Sequence, residues 1–147
     1  MTEPSLHVLF LCTGNSARSQ MAEAILRALS HGTIVVESAG SAPRPDIHPM
    51  AHAAVRALLG IEMTGQRPKS LDQFLSRQFD YVITVCDDVA ETCPVFPGAA
   101  ERIHWSYADP AAATGTDADR QQAFDSVARQ LSVRIRSWLQ TLTGEIT

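Results

Sequence analysis

The sequence predicts an α/β fold: a three-layer sandwich around a central four-stranded parallel sheet. Short, nearly continuous apolar runs read as strands covered on both faces. Segments with helical spacing alternate with them. Turn and stop residues separate each run from the next. The chain has 147 residues, the length of one ordinary domain, so residues 1–147 are expected to form a single domain.

Leu6 to Leu11 is the first strand, and it stops at the turn and capping residues Cys12-Thr13-Gly14-Asn15-Ser16. Met21, Ala22, Ile25, Leu26 and Leu29 then fall on one helical stripe, with Gly32 where the helix would stop. Thr33 to Ser38 is the second strand, followed by a loop rich in Gly, Ser and Pro from Ala39 to Pro49. Met50 to Leu59 reads as a helix ended by Gly60, and Ser70 to Arg77 as a shorter one. Tyr81 to Val85 is a third buried strand. The acidic segment from Cys86 to Pro97 carries Pro94 and Pro97, so no regular helix is expected to run through all of it. Arg102 to Trp105 is the fourth strand, and Ser106 to Asp119 reads as loop. A long helix from Asp119 to Leu142 places Phe124, Val127, Leu131, Ile135 and Leu139 on its inner face.

Composition excludes several classes. The hydrophobic share of 45% supports a core, and the charged share of 19% argues against disorder. Twelve Lys and Arg against 16 Asp and Glu leave a net charge of −4. With no basic run, neither nucleic acid nor membrane is expected as a partner. No apolar stretch is long enough to span a bilayer, and no basic segment precedes an apolar one at the start, so a cytoplasmic location is expected. The cysteines are Cys12, Cys86 and Cys93. An odd, low count does not suit a secreted disulfide framework.

The strongest chemical signal is Cys12-Thr13-Gly14-Asn15-Ser16-Ala17-Arg18-Ser19, between a strand and a helix. Five residues separate Cys12 from Arg18. So short a loop turns successive backbone N–H groups inward as an anion nest, and the helix N-terminus adds positive potential. Arg18 supplies a planar, two-pronged grip on an oxyanion. Gly14 is expected to permit a turn that a Cβ would hinder. Helix N-termini and a nearby Arg favour the thiolate of a cysteine, which makes Cys12 the candidate nucleophile. The loop lacks the Lys and spacing of a nucleotide P-loop and has no G-x-G-x-x-G. The plain alternative is a Cys packed beneath a tight turn.

Cys12 and Cys86 both terminate predicted parallel strands, so both belong at one edge of the sheet. For Cys86 and Cys93, ordinary burial and a zinc site with His104 stay open. Their spacing is wider than zinc pairs usually show, and no fourth ligand is evident. His48 and His52 stand at i, i+4 without a third ligand, which favours a surface role at a loop-to-helix junction. No metal is expected at either place.

Leu9 through Glu23 resembles the signature of low-molecular-weight protein tyrosine phosphatases and of the arsenate reductases built on that fold. The resemblance extends to Glu37-Ser38-Ala39-Gly40, Val82 to Cys86, Cys93-Pro94 and His104-Trp105 through Asp109-Pro110. It implies a low-molecular-weight phosphatase-like fold; no cofactor is expected, and the chain is expected to be a monomer. It also implies that Thr13 to Ser19 bind the oxyanion and that Asp109 is the general acid. The pair Cys86 and Cys93 matches the thioredoxin-coupled reductases. Ala111, Ala112 and Ala113 stand where phosphatases of the family place tyrosines around an aryl ester, and Gln20 departs from their usual Pro. The alanines favour a small inorganic substrate, arsenate, with phosphate or sulfate as mimics, and Gln20 matches the reductase pattern.

The resemblance therefore implies reduction of arsenate. Cys12 attacks arsenic, Cys86 attacks Cys12, and Cys93 attacks Cys86. Thioredoxin would reduce the final Cys86–Cys93 disulfide. Hydrolysis of phosphate monoesters through a phosphocysteine, and a non-catalytic oxyanion-binding module, are the alternatives. Ala17 stands where many relatives carry a further Cys. Lys69 stands near the place where some reductases bind potassium, so no ion is expected there and its ammonium is expected to substitute.

Overall fold

The computed structural model describes residues 5–87 and 91–144. In chain order these form β1 (His7–Cys12), α1 (Arg18–Leu29), β2 (Val35–Gly40), α2 (Pro49–Leu59), β3 (Phe79–Thr84), β4 (Ala99–His104) and α3 (Asp117–Gly144). Short 3-10 turns occupy Leu71–Phe74 and Pro110–Ala112. The sheet order is β2-β1-β3-β4, and every neighbouring pair is parallel.

The alternation of β1 explains the layers. Val8, Phe10 and Cys12 point to one face, and Leu9 and Leu11 to the other. The first face packs on the helices, with Met21 and Ile25 from α1, Ala51 and Val55 from α2, and Phe124 and Leu131 from α3. The second is covered by Phe74 and Phe96 against Phe79 and Val82. Both faces of β1 are thus dry, as its continuous apolar run requires. The sandwich has its three layers, and the second covering layer is thin.

Several boundaries move for local reasons. The segment Ser70 to Arg77 forms only the 3-10 turn Leu71–Phe74, where half-buried Leu71 and buried Phe74 are spaced i, i+3, the period of that helix. β2 starts at Val35, since Thr33 N–H and Oγ1 both donate to the Ser30 carbonyl and hold the turn. β4 begins at Ala99, three residues before the apolar signal. It is an edge strand with mostly exposed side chains, so its backbone pairing to β3 carries no hydrophobic signature. α3 begins at Asp117 because Thr116 and Asp119 form a reciprocal cap: Asp119 N–H donates to Thr116 Oγ1 and Thr116 N–H to Asp119 Oδ2.

Strand order places the site. From β1 the chain moves to β2 on one side and β3 on the other, so the crevice opens at the carboxyl ends of β1 and β3. Cys12 ends β1, and Cys86 follows β3 by two residues. Just past β3, Val85 N–H donates to the Leu11 carbonyl, which keeps the two strand ends adjacent. Among the described residues no helix is long and apolar enough to cross a membrane.

Candidate active site

The loop after β1 turns its carbonyls outward. Thr13, Gly14 and Ser16 carbonyls accept from the N–H groups of Ala42, Arg44 and His48. Among the described residues, no acceptor pairs with the N–H groups of Gly14, Asn15, Ser16 or Ala17. The N-cap of α1 is Ala17, with no side-chain cap and no acidic residue in the first turn. A helix start left uncapped beside a cavity is a place for an anion.

Gly14 is not the strained position. Its φ is ordinary, and an added Cβ would meet only the flexible side chain of Arg44, at 3.1 Å from Nε. The left-handed residue is Asn15, with φ of 47°. Asn tolerates this region because its side chain bonds locally, and here those bonds are extensive. Asn15 Oδ1 accepts from Lys69 N–H at 2.8 Å and Gln20 Nε2 at 2.9 Å. Asn15 Nδ2 donates to Ser19 Oγ at 2.7 Å. Gly40 supplies the floor: a Cβ there would collide with the Thr13 carbonyl oxygen and stand 3.0 Å from Asn15 N.

Cys12 is 2% exposed, and its Sγ stands 2.8 Å from Ser19 Oγ. Arg18 is 4% exposed and opens α1. Its Nη1 donates to the Tyr107 carbonyl at 3.1 Å, and its Nη2 stands 4.0 Å from Asp109 Oδ2. Asp109 caps the turn Pro110–Ala112 by accepting from Ala111 N–H at 3.0 Å, which aims one carboxylate oxygen and leaves the other toward Arg18.

One cavity of about 480 Å³ gathers Cys12 through Arg18 together with Asp109. Ser19 lies beneath it, bonded to the sulfur. Ala111 and Ala112 line its mouth, and no Phe, Tyr or Trp does so among the described residues. Cys86 and Cys93 stand apart from this cavity. They are joined in a disulfide, while Cys12 is free. Cys86 is fully buried, and Cys93 borders a separate groove with Val95 and Phe96.

Three contributors escaped the sequence reading. Glu91 accepts from Arg18 Nη1 at 2.5 Å, Arg18 Nη2 at 3.1 Å, Thr13 Oγ1 at 2.5 Å and Asp87 N–H at 3.1 Å. Burial opposes its charge, but the bonds from Arg18, Thr13 and Asp87 outweigh burial and hold the carboxyl below its ordinary pKa. Arg18 is likewise pushed above its usual value: burial works against the cation, and Glu91, Cys12 and Asp109 prevail. Arg44 and His48 also line the cavity. His48 also has a structural role. It caps α2 by accepting from Met50 N–H at Nδ1 and packs on Phe124 at 4.5 Å. Burial, with Arg120 and Arg44 nearby, lowers its pKa. Only the turn acid of Glu91, near a Cys, hinted at its place.

At the position expected to replace a potassium ion, Lys69 Nζ lies 3.7 Å from Glu23 Oε1. Glu23 is 3% exposed and also accepts from Ser38 Oγ and Arg27 Nη2, both at 2.7 Å. A fixed ammonium thus neutralises a buried carboxylate one layer below the loop.

Sulfur, free amides and guanidinium converge at one crevice, and that convergence defines the class: an α/β protein with a Cys-x5-Arg oxyanion loop. Comparison supplies the family. The chain belongs to the low molecular weight phosphotyrosine protein phosphatase family, whose sequence profile matches residues 7–147. Arsenate reductase of Halalkalibacterium halodurans is 38% identical over 136 residues, covering 91% of this chain and 95% of that protein. Arsenate reductase of Bacillus subtilis is 35% identical over the same coverage. Among solved structures, a thioredoxin-dependent arsenate reductase of Corynebacterium glutamicum is 28% identical with a TM-score of 0.72. That match covers 99% of this chain, which spans 65% of the longer protein. An arsenate reductase in a phosphate-binding state is 27% identical with a TM-score of 0.74, covering 92% of this chain and 98% of that one.

Proposed function

We propose that this chain reduces arsenate to arsenite within one domain, and that thioredoxin restores it. The observation that carries the proposal is the Cys86–Cys93 disulfide beside a free Cys12 at the head of an oxyanion loop. A phosphate-ester hydrolase needs only the last of these three sulfurs.

The Cys12 thiolate attacks arsenic held by the loop amides from Thr13 to Ser19 and by Arg18. Asp109 gives a proton to the departing oxygen, so an S–As bond forms and water leaves. Cys86 thiolate then attacks the Cys12 sulfur. The S–As electron pair stays with arsenic, which leaves as arsenite, and a Cys12–Cys86 disulfide remains. Cys93 thiolate attacks Cys86 and releases Cys12 as a thiolate. A thioredoxin dithiol supplies the two electrons that reopen Cys86–Cys93. The cavity mouth of Ala111 and Ala112 supports a small inorganic substrate over an aryl ester.

The test is arsenate-dependent consumption of NADPH with thioredoxin and its reductase, each component omitted in turn. Consumption that needs all of them supports the proposal. None at all, with steady hydrolysis of p-nitrophenyl phosphate, supports the second reading. That reading is monoester hydrolysis by Cys12, Arg18 and Asp109, and family membership favours it. A Cys12→Ser variant separates either enzyme from a non-catalytic oxyanion module, because it abolishes both activities.

A further inference from the structure

The guanidinium of the anion site is already engaged in this structure by a carboxylate of the chain itself. Both oxygens of Glu91 are doubly bonded by donors: Oε1 by Thr13 Oγ1 and Arg18 Nη2, Oε2 by Arg18 Nη1 and Asp87 N–H. A carboxylate offers about four lone-pair sites, so Glu91 is saturated. The forked grip of Arg18 is the contact an incoming oxyanion needs. Glu91 lies in the span closed by the Cys86–Cys93 disulfide, two residues before Cys93. Its own N–H donates to the Asp87 carbonyl at 2.9 Å, a turn next to Cys86. The bond that ends the sulfur relay therefore closes the strap that carries the carboxylate.

We propose that Glu91 is an intramolecular occupant of the oxyanion site, held on Arg18 and Thr13 while Cys86 and Cys93 are joined, so that oxyanion enters only the reduced enzyme. This inference rests on the reductase reading above and adds the order of its steps. With the disulfide closed there is no Cys86 thiolate. Arsenate condensing with Cys12 at that stage would form an S–As bond, lose water and find no thiol to resolve it. Glu91 prevents the adduct by taking the guanidinium. An occupant on a short tether competes at an effective concentration on the order of millimolar. When a dithiol reduces the pair, Cys86 and Cys93 become thiols, the span is no longer closed, and Arg18 becomes available. A salt bridge serving stability alone would not make anion affinity depend on the redox state of two cysteines outside the cavity.

Isothermal titration with inorganic phosphate tests this, because phosphate is not reduced. It is measured on wild type and Glu91→Gln, each as the Cys86–Cys93 disulfide and after dithiothreitol. Wild type should bind phosphate more weakly when oxidised, by on the order of tenfold or more, within the range of ordinary site-to-site coupling. Glu91→Gln should bring the oxidised form close to the reduced one, and Glu91→Ala repeats the comparison if the amide still hydrogen-bonds Arg18. Equal affinity of oxidised and reduced wild type overturns the proposal without touching the reductase reading. So does a gap that both variants leave unchanged, or a loss of binding in both redox states of both variants. If reduced wild type binds no phosphate, the oxyanion site itself fails and the inference falls with it.

Discussion

Ser19 Oγ faces Cys12 Sγ at 2.8 Å while it accepts a hydrogen bond from Asn15 Nδ2 at 2.7 Å. The orientation of the Asn15 amide is fixed, because its Oδ1 accepts from the Lys69 backbone N–H, which can only donate. The Ser19 hydroxyl proton is therefore free to point at the sulfur. The chain of bonds runs from the loop after α2 through Asn15 to the nucleophile.

Ser19→Ala is expected to slow the first chemical step by on the order of 10- to 100-fold, the loss of one hydrogen bond to a charged group. Asn15→Ala should cost more, since it also removes a residue suited to φ of 47°. Single-turnover formation of the Cys12 adduct, followed by quenched mass spectrometry, measures both.

Gly40→Ala should damage the loop without touching any reacting group. The new Cβ would run into the Thr13 carbonyl and the Asn15 amide. Overpacking of this kind destabilises by about 1–3 kcal/mol. A lowered unfolding midpoint together with weakened phosphate binding is the expected pair of results. A normal affinity would show that the loop adapts.

Lys69→Met should destabilise the fold by about 1 kcal/mol, because Arg27 and Ser38 still bond Glu23 after the ammonium is gone. Wild type should unfold at the same denaturant midpoint in potassium and sodium chloride of equal ionic strength. A potassium-specific gain in wild type would show that the ion, not the lysine, serves Glu23.

The pH dependence of the oxidised form follows from Glu91. Its pKa is held down in the folded state, so its contribution to stability is complete above the ordinary carboxyl value of about 4.3 and is lost as pH falls through the lower folded value. The stability difference between oxidised wild type and Glu91→Gln should be flat from neutral pH down to about 4.3 and should shrink below that as pH falls through the folded value. Urea unfolding at a series of pH values reads this directly.

Cys93→Ser should stop the relay one exchange early. Arsenate-treated protein should then accumulate a Cys12–Cys86 disulfide and release one arsenite per chain. Peptide mapping identifies the linked pair. Linkage absent from every arsenate-treated sample would remove the reductase reading.

What was legible in the sequence was local. The apolar run of β1 and the stripe of α1 are encoded by residues adjacent in the chain. So is the Cys-x5-Arg loop, because strand, loop and helix start are contiguous. Asp109-Pro110 and the three alanines after it were legible through resemblance to a family. The edge strand β4 was read late because its pairing is through backbone and its side chains face water. The demand for an unusual backbone was assigned to Gly14, when Asn15 carries it. A glycine advertises freedom, whereas Asn15 is paid for by bonds to Lys69 and Gln20 that only folding brings together.

By itself the sequence determined the α/β class, the nucleophile loop and the inventory of three sulfurs, since each depends on neighbours in the chain or on residue identity. Tertiary structure alone decided that Glu91 sits on Arg18, that Lys69 serves Glu23 and that Gly40 underlies Thr13. Those contacts join residues 73, 46 and 27 positions apart, as their numbers show. Nothing in local spacing selects such partners; they meet because parallel strands bring distant loops to one end of the sheet.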